Sequence, residues 1–350
     1  MVALVVNAGS TGLKLHAAAV DGTAVRVRAL DALAPEEVSG VGHRIVHGGA
    51  SFVAPTLVTD EVVLELERLV PLAPLHMRPA LDALAAARAA YPDVPHVAVF
   101  DTAFHATLPA TATAYAVPES WRALGIRRYG FHGINLEWCA ERAPELLGLS
   151  GDDLHLVVCH LGGGCSVTAV HAGRSVDTSM GFSPLEGVPM GTRPGSIDVE
   201  IPLYLLRNNL FTREEIEEAL NRDSGLKGLS GISGDVAELE DRAADDPQAL
   251  FALEVFAHRV AAAVAAAATS LGRDDAVVFT GGIGEHATLT RTRICTRLHH
   301  FGVALDERAN AVAEEGEIGA AASATRVLVV PAQEERVIAR AVFQVAAAVA

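Results

Sequence analysis

Paired cysteines are missing from this chain. It has only four cysteines in 350 residues, Cys139, Cys159, Cys165 and Cys295. None forms a C-x-x-C pair, so neither a zinc site nor a redox motif is expected, and the four read as small buried side chains. A basic excess is missing too. The net charge of −16 argues against nucleic acid as a partner, because nothing would neutralise a phosphate backbone. A local phosphate ligand remains compatible with that charge, since backbone N–H groups and a metal ion can hold one. No uninterrupted apolar run reaches the roughly 18 residues of a membrane span. The alanine-rich stretch Val260–Ala268 is too short and is bracketed by Arg259 and Arg273. Met1 leads straight into Val2–Val6 without a basic leader, so the expected location is the cytoplasm, with no membrane partner. Also lacking are a G-x-x-x-x-G-K-[ST] loop, a third glycine to complete a dinucleotide fingerprint at Gly282-Ile283-Gly284, an H-E-x-x-H pair and a G-x-S-x-G elbow.

What is present is a globular composition, half hydrophobic and one fifth charged, on a chain long enough for two domains. One pattern occurs twice. Ala3–Val6 is an apolar strand, Asn7–Gly12 a polar turn, Leu13–Val20 a second strand, and Asp21-Gly22 a hairpin signal before Val25–Val27. The plan returns at Leu154–Cys159, His160–Gly164, Ser166–Val170, His171-Ala172-Gly173 and Arg174–Val176. Strand, glycine turn, strand, tight turn, strand, met twice, predicts a duplicated α/β domain with a cleft between the halves. Helices are expected at Asp60–Val70 with Thr59 as N-cap, Pro79–Ala90, Leu136–Leu147, Thr212–Leu220 with a Thr212/Glu215 capping box, Gln248–Leu271 and Glu334–Val349.

Four glycine-rich segments, Asn7–Gly12, Leu161–Gly164, Gly231–Asp235 and Gly281–Gly284, are each an ordinary turn taken singly. Together they point to phosphate binding, because glycine lets backbone N–H groups approach a ligand. Beside them lie His43-Arg44 with His47-Gly48-Gly49, Asp101 with Phe104-His105, Phe131-His132-Gly133, and Gly191-Thr192-Arg193. An arginine next to a glycine turn suits a carboxylate or phosphate. Asp101 closes the apolar strand His96–Phe100, where α/β proteins commonly place functional side chains; a helix cap is the alternative reading.

These segments resemble acetate kinases, from Val2 to about Arg340. The resemblance is carried by Asn7–Ser10, Leu13-Lys14, Gly42–Gly49, Val99–His105, Tyr129–Gly133, His160–Gly162, Val176–Gly187, Met190–Arg193, Ser230–Ser233, Thr280–Glu285 and Glu334–Arg340, in the family's order. It implies the fold shared by acetate and sugar kinases, Hsp70 and actin: duplicated ribonuclease H-like domains flanking a nucleotide cleft. The expected division is an N-terminal domain, residues 1–102, completed by the C-terminal helix 332–350, and a nucleotide-binding domain, residues 103–331. The implied activity is reversible transfer of the ATP γ-phosphoryl group to acetate or a close short-chain carboxylate. The implied partners are ATP/ADP, a small carboxylic acid, Mg²⁺ and a second copy of the chain in a homodimer. By the same resemblance Asn7 and Glu334 place Mg²⁺, and Asp101, His132 and Arg193 are catalytic. Arg44 holds the substrate carboxylate, with Val46, Leu75, Phe131 and Pro184 around the acyl group. Lys14, the turn of His160, Leu161, Gly162, Gly163 and Gly164, the group Asp235, Val236 and Ala237, and the run Gly282, Ile283, Gly284, Glu285 and His286 line the nucleotide.

The chain also departs from the family pattern. Gly12 stands in place of a serine, Gly163 of an asparagine, Ala237 of an arginine associated with the adenine, and Met77-Arg78 of Asn-Pro. The stretch between Lys14 and His43 is shorter than usual. The altered residues after Leu75-His76 suggest, as an alternative, a kinase for propionate or a larger acid. The departures as a group suggest another, a non-catalytic nucleotide-binding paralogue.

Overall fold

Strand β1, Val2–Gly9, is buried on both faces. Ala3 and Val5 pack under one helical layer and Leu4, Val6 and Ala8 under the other, as the two-residue period of a strand requires. In the computed structural model, which describes residues 1–9, 12–312 and 314–349, β1 is the third strand of a six-stranded sheet. The other members are β2 (Gly12–Ala18), β3 (Ala24–Val27), β4 (Val38–Ile45), β5 (Thr56–Leu57) and β6 (His96–Phe100), in the order β3-β2-β1-β4-β6-β5. A second sheet contains β7 (His155–Leu161), β8 (Cys165–His171), β9 (Arg174–Thr178), β10 (Ala276–Thr280), β11 (Gly316–Glu317) and β12 (Arg326–Val329). Read as β9-β8-β7-β10-β12-β11, it repeats the first. In each sheet the neighbours run antiparallel, antiparallel, parallel, parallel, antiparallel. The duplication expected from the repeated strand-turn-strand pattern is therefore present as two sheets of the same topology. Ser10 and Thr11, in the first glycine turn, lie outside the described residues.

Two compact units result. One is Met1–Thr107 with Tyr115–Trp138 and Gln333–Ala350; the other is Leu108–Ala114 with Cys139–Ala332. In the first, helices Asp60–Leu69 and Pro74–Ala90 cover one face of the sheet through Leu66, Met77, Leu81 and Leu84. The other face takes the helix Glu334–Val349 through Val337, Ile338, Ala341 and Val342. Gly42 makes this close approach possible. A Cβ there would come within 2.4 Å of Ile338 Cγ2 and 2.8 Å of Val342 Cγ2, a separation that real side chains do not reach. Arg340 Nη2 donates to Glu137 Oε1 at 2.6 Å, and Arg336 lies over the Trp138 ring at 5.3 Å, so the same helix is also gripped by polar contacts.

Two of the expected helices begin earlier than read, and those expected to end at Leu220 and Leu271 end at Glu218 and Ala268. The helix expected from Pro79 begins at Pro74, with Pro79 inside it. Pro74 occupies the first turn, where a missing N–H costs nothing. The helix expected from Leu136 begins at Gly133. The caps are as read: Thr59 Oγ1 accepts from Val62 N, and Thr212 and Glu215 form the reciprocal box. The helix Pro247–Ala268 is long and apolar enough, by length and composition, to cross a membrane, which the run-by-run reading did not register. Its buried side chains Ala252, Leu253, Phe256, Val260 and Val264 face protein, and it packs against β7, β8 and the helices Gly225–Ser230, Val236–Arg242 and Thr288–Arg297.

Candidate active site

In the first unit, side chains from four distant stretches converge. Asn7 stands near the end of β1, Arg44 near the end of β4, Asp101 just after β6, and Glu334 opens the last helix. β1, β4 and β6 are adjacent and parallel, so their C-terminal ends deliver three of the four to one edge. Arg44 Nε donates to Asp101 Oδ1 at 2.9 Å and Nη2 to Oδ2 at 2.7 Å. Arg44 Nη1 donates to Asn7 Oδ1 at 3.1 Å and lies 3.4 Å from Glu334 Oε2. Asn7 Nδ2 donates to the same Glu334 oxygen at 2.7 Å. Burial works against the Arg44 charge, but Asp101 and Glu334 hold the guanidinium above its ordinary value. Burial pushes the Asp101 carboxyl up, opposed by the charge and hydrogen bonds of Arg44 and by the His132 backbone N–H.

The Phe131–Gly133 segment locks onto Asp101. Gly133 N donates to Asp101 O at 2.8 Å, and a Cβ on Gly133 would sit 2.3 Å from that oxygen, so only glycine fits. His132 beside it holds φ at 64°, a left-handed conformation that strains a non-glycine residue and survives only where its surroundings impose it. His105 binds the carbonyl of Phe131 through Nε2 at 2.9 Å. Val46 and Phe131 are buried, whereas Leu75 is 45% exposed at the start of its helix. Lys14 belongs to this unit, exposed and directly opposite Asn7 across the β1–β2 pair.

In the second unit the turns after β7 and β10 lie side by side. His160 and Thr280 are register partners, and a Cβ on Gly162 would sit 3.8 Å from the amide nitrogen of Gly282. His160 and Leu161, expected in the first turn, are the last residues of β7, and Gly162–Gly164 form the turn, closed by Gly162 N donating to Gly164 O at 3.0 Å. Gly282, Ile283, Gly284, Glu285 and His286 form the short helix after the second. Arg193 is buried among carbonyls. Its Nη1 donates to Pro184 O at 2.9 Å and Nη2 to Gly163 O at 3.3 Å, and burial pulls the guanidinium below its ordinary value. One cation thus joins the glycine turn to the Pro184 loop.

Three of the residues marked by resemblance serve the fold in ways the sequence did not announce. The Asp235 carboxylate caps the helix Val236–Arg242, with Oδ1 accepting from Ala237 N at 2.8 Å and Glu238 N at 3.5 Å. Val236 is buried in the core and Ala237 is exposed. Met77, read as a substrate-rim departure, is fully buried under the first sheet, and Arg78 pairs outward with Glu67 at 3.0 Å. Met77 is therefore a core residue, and the argument for a larger acid built on that rim loses its support. Sequence reasoning also missed Arg291. It is 1% exposed, donates through Nη1 to Gly284 O and Glu285 O, and is held by Asn310. A buried arginine on a helix has no distinguishing spacing; only its carbonyl partners reveal that it fixes the Gly282–His286 turn.

Two sheets of one topology, each with candidate site side chains at the carboxyl ends of its parallel strands, define the class: a duplicated α/β fold of the actin-like kind. The acetokinase family model matches residues 13–340. The chain is 47% identical to an acetate kinase of Synechococcus over 307 residues, 87% of this chain and 76% of that one. It is 48% identical to an acetate kinase of Deinococcus deserti over 318 residues, 89% and 80% of the two chains. Among solved structures, a propionate kinase from Francisella tularensis matches with a TM-score of 0.89 at 33% identity, covering 97% of this chain and 98% of that one. An acetate kinase from Porphyromonas gingivalis matches with 0.86 at 32%, covering 98% and 99%. The chain belongs to the acetokinase family.

Proposed function

We propose that the protein transfers the γ-phosphoryl group of ATP to the carboxylate of acetate, or of a close short-chain acid, reversibly and by direct in-line displacement. The observation that carries this reading is the network of Asn7, Arg44, Asp101 and Glu334. The acceptor carboxylate is already ionised at pH 7, so no strong base is needed. The task is alignment and positive charge. Asp101, buried and gripped by Arg44, is accordingly a positioning group and not a proton acceptor.

The amide oxygen of Asn7 and the carboxylate of Glu334, on side chains joined at 2.7 Å, are oxygen donors of the kind that suits a hard cation such as Mg²⁺. Asn7 and Glu334 would hold it. When bound, Mg²⁺ supplies charge to the phosphate oxygens. Arg44 orients the acid; Val46, Leu75, Phe131 and Pro184 surround its alkyl end; His132 and Arg193 stabilise the charge in flight. Lys14, the His160–Gly164 turn, Asp235–Ala237 and Gly282–His286 bind the nucleotide, largely through backbone N–H groups at the glycines. We infer a cytoplasmic homodimer. The helix Glu200–Arg207, with Ile201, Leu203, Tyr204 and Leu206 exposed and no residue buried, offers a face for the second copy.

Hydroxylamine trapping of the acyl phosphate tests the reaction, with acetate, propionate and butyrate each supplied with ATP and Mg²⁺. Acetyl hydroxamate is expected in greatest yield. No product from any acid of two to four carbons would refute the reading and leave a non-catalytic nucleotide binder.

A further inference from the structure

The second sheet carries another constellation, at the end of its strands opposite the glycine turns. His155 opens β7, His171 closes β8, and the two are direct cross-strand partners. Their rings stack with centroids 4.2 Å apart and planes 16° from parallel. Asp153, in the turn before β7, brings Oδ1 to 3.3 Å from His171 Nε2. One donor atom from each of Asp153, His155 and His171 lies within 4.8 Å of the others. A second carboxylate stands behind them. Asp275, just before β10, accepts from the His155 backbone N–H at 2.9 Å and faces His155 Nδ1 at 3.3 Å, both through Oδ2. Arg273 holds the two acids in place, with Nε on Asp275 Oδ1 and Nη2 on Asp153 Oδ2, each at 2.9 Å.

We propose that Asp153, His155 and His171 form a binding site for a divalent transition-metal cation of the zinc(II) class, separate from the oxygen site assigned to Mg²⁺. Two imidazole nitrogens and one carboxylate are the donors such a cation selects, and Mg²⁺ does not. The surroundings fit the arrangement in which a carboxylate takes the far N–H of a ligating imidazole. Asp275 accepts from Nδ1 of His155, which leaves Nε2 with its lone pair free. Arg273 occupies Oδ2 of Asp153, which leaves Oδ1 turned towards His171. His155 is the buried anchor, while the side chains of His171 and Asp153 are 43% and 71% exposed. A tetrahedral zinc shell spaces its donors about 3.3 Å apart, so the cluster closes by rotation of those two exposed side chains alone. The fourth position falls to water. A bound ion ties the start of β7 to the end of β8 and, through Asp275, to the start of β10. It braces the second unit at the end away from the glycine turns. The positive charge of Arg273 keeps the affinity modest.

The test is titration of the metal-stripped full-length protein with Co²⁺, read by its visible ligand-field bands, and with Zn²⁺, read by calorimetry and thermal melting, both in excess Mg²⁺. One equivalent per chain is expected, with a raised melting temperature and unchanged kcat for acyl phosphate formation. His171→Ala and Asp153→Asn should each weaken binding at least tenfold and remove the Co²⁺ bands. Asp275→Asn, which removes the carboxylate behind His155, should weaken it about 10- to 100-fold. Circular dichroism in metal-free buffer checks that each variant is folded. No binding by the native chain, or equal binding and spectra in native protein and His171→Ala, would overturn the proposal.

Discussion

Arg44 closes both prongs of its guanidinium on Asp101, Nε on Oδ1 at 2.9 Å and Nη2 on Oδ2 at 2.7 Å. The side of the fork that would best grip a substrate carboxylate is already filled by one of the protein's own. On the proposed reading, an incoming acid would meet the other edge, where Nη1 faces Asn7 and Glu334.

Removing one member of this buried pair should cost more than removing both. Arg44→Ala leaves the Asp101 carboxylate buried without its counter-charge, which costs on the order of 3–5 kcal/mol. The double variant Arg44→Ala/Asp101→Leu should recover much of that stability while remaining inactive. Urea unfolding of the three proteins checks it. A double variant no more stable than the single one would show that the pair does not account for the loss.

Arg193→Ala should fail differently from changes at Arg44. Its donors rest on the carbonyls of Pro184 and Gly163, and its proposed role is to steady the phosphoryl group in flight. The expected result is a kcat lowered by roughly two orders of magnitude with KM for acetate within a few-fold. An Arg193→Ala profile dominated by KM would contradict the role.

Three buried imidazoles make the fold acid-sensitive. Burial pulls His43 down to about 3, and His47 and His105 each down to about 4, from an ordinary 6.5. The unfolded chain therefore binds more protons than the folded one between pH 6.5 and about 4. Stability is full above pH 6.5 and falls as the pH drops through that window. Three such groups together reach about 4 kcal/mol per pH unit near pH 5. Denaturant midpoints at pH 7, 6 and 5 measure the slope, and a flat profile would contradict it.

Met77→Ala separates packing from substrate contact. Its side chain is fully buried among Leu66, Ala80 and Leu84, so the loss should be about 2–5 kcal/mol of stability. KM for acetate should stay within twofold. A changed preference between acetate and propionate, without loss of stability, would return Met77 to the substrate rim.

Ala237→Arg should lower the KM for ATP several-fold. Ala237 is exposed in the first turn of the helix Val236–Arg242, and a guanidinium there could lie against a purine, worth about 1 kcal/mol. Two cations earlier in the chain that could fill that role are engaged: Arg222 lies 3.6 Å from Glu218, and Lys227 2.7 Å from Asp223. Steady-state kinetics with ATP and GTP on both proteins decides it. A native enzyme that already strongly prefers ATP, with no response to the substitution, would show that other residues contact the base.

The duplication was legible because strand, glycine turn and hairpin each leave a local mark, and the marks occur twice in order. Asn7 and Glu334, 327 positions apart, carry no local mark of their meeting; only the family resemblance suggested it, and the fold joins them at 2.7 Å. What stayed hidden was assigned by packing. Met77 and Leu75 are two residues apart on one helix, yet one is core and the other surface. The capping role of Asp235 left no separate mark, because an N-cap and a phosphate loop use the same residue types. Arg291 and Arg193 act through backbone carbonyls, which no sequence pattern records.

The seat that Gly42 leaves for Ile338 also orders events in time. Residues 334–349 follow the whole second unit in the chain, yet they cover one face of the first sheet and bring Glu334 to Asn7. On the ribosome, that face stays bare until the second unit, which can already close upon itself, has been made. The early strands must wait, exposed, for a helix not yet made. The same late arrival completes the Asn7–Glu334 contact, so a nascent chain lacks the proposed metal site until the second unit has been synthesised.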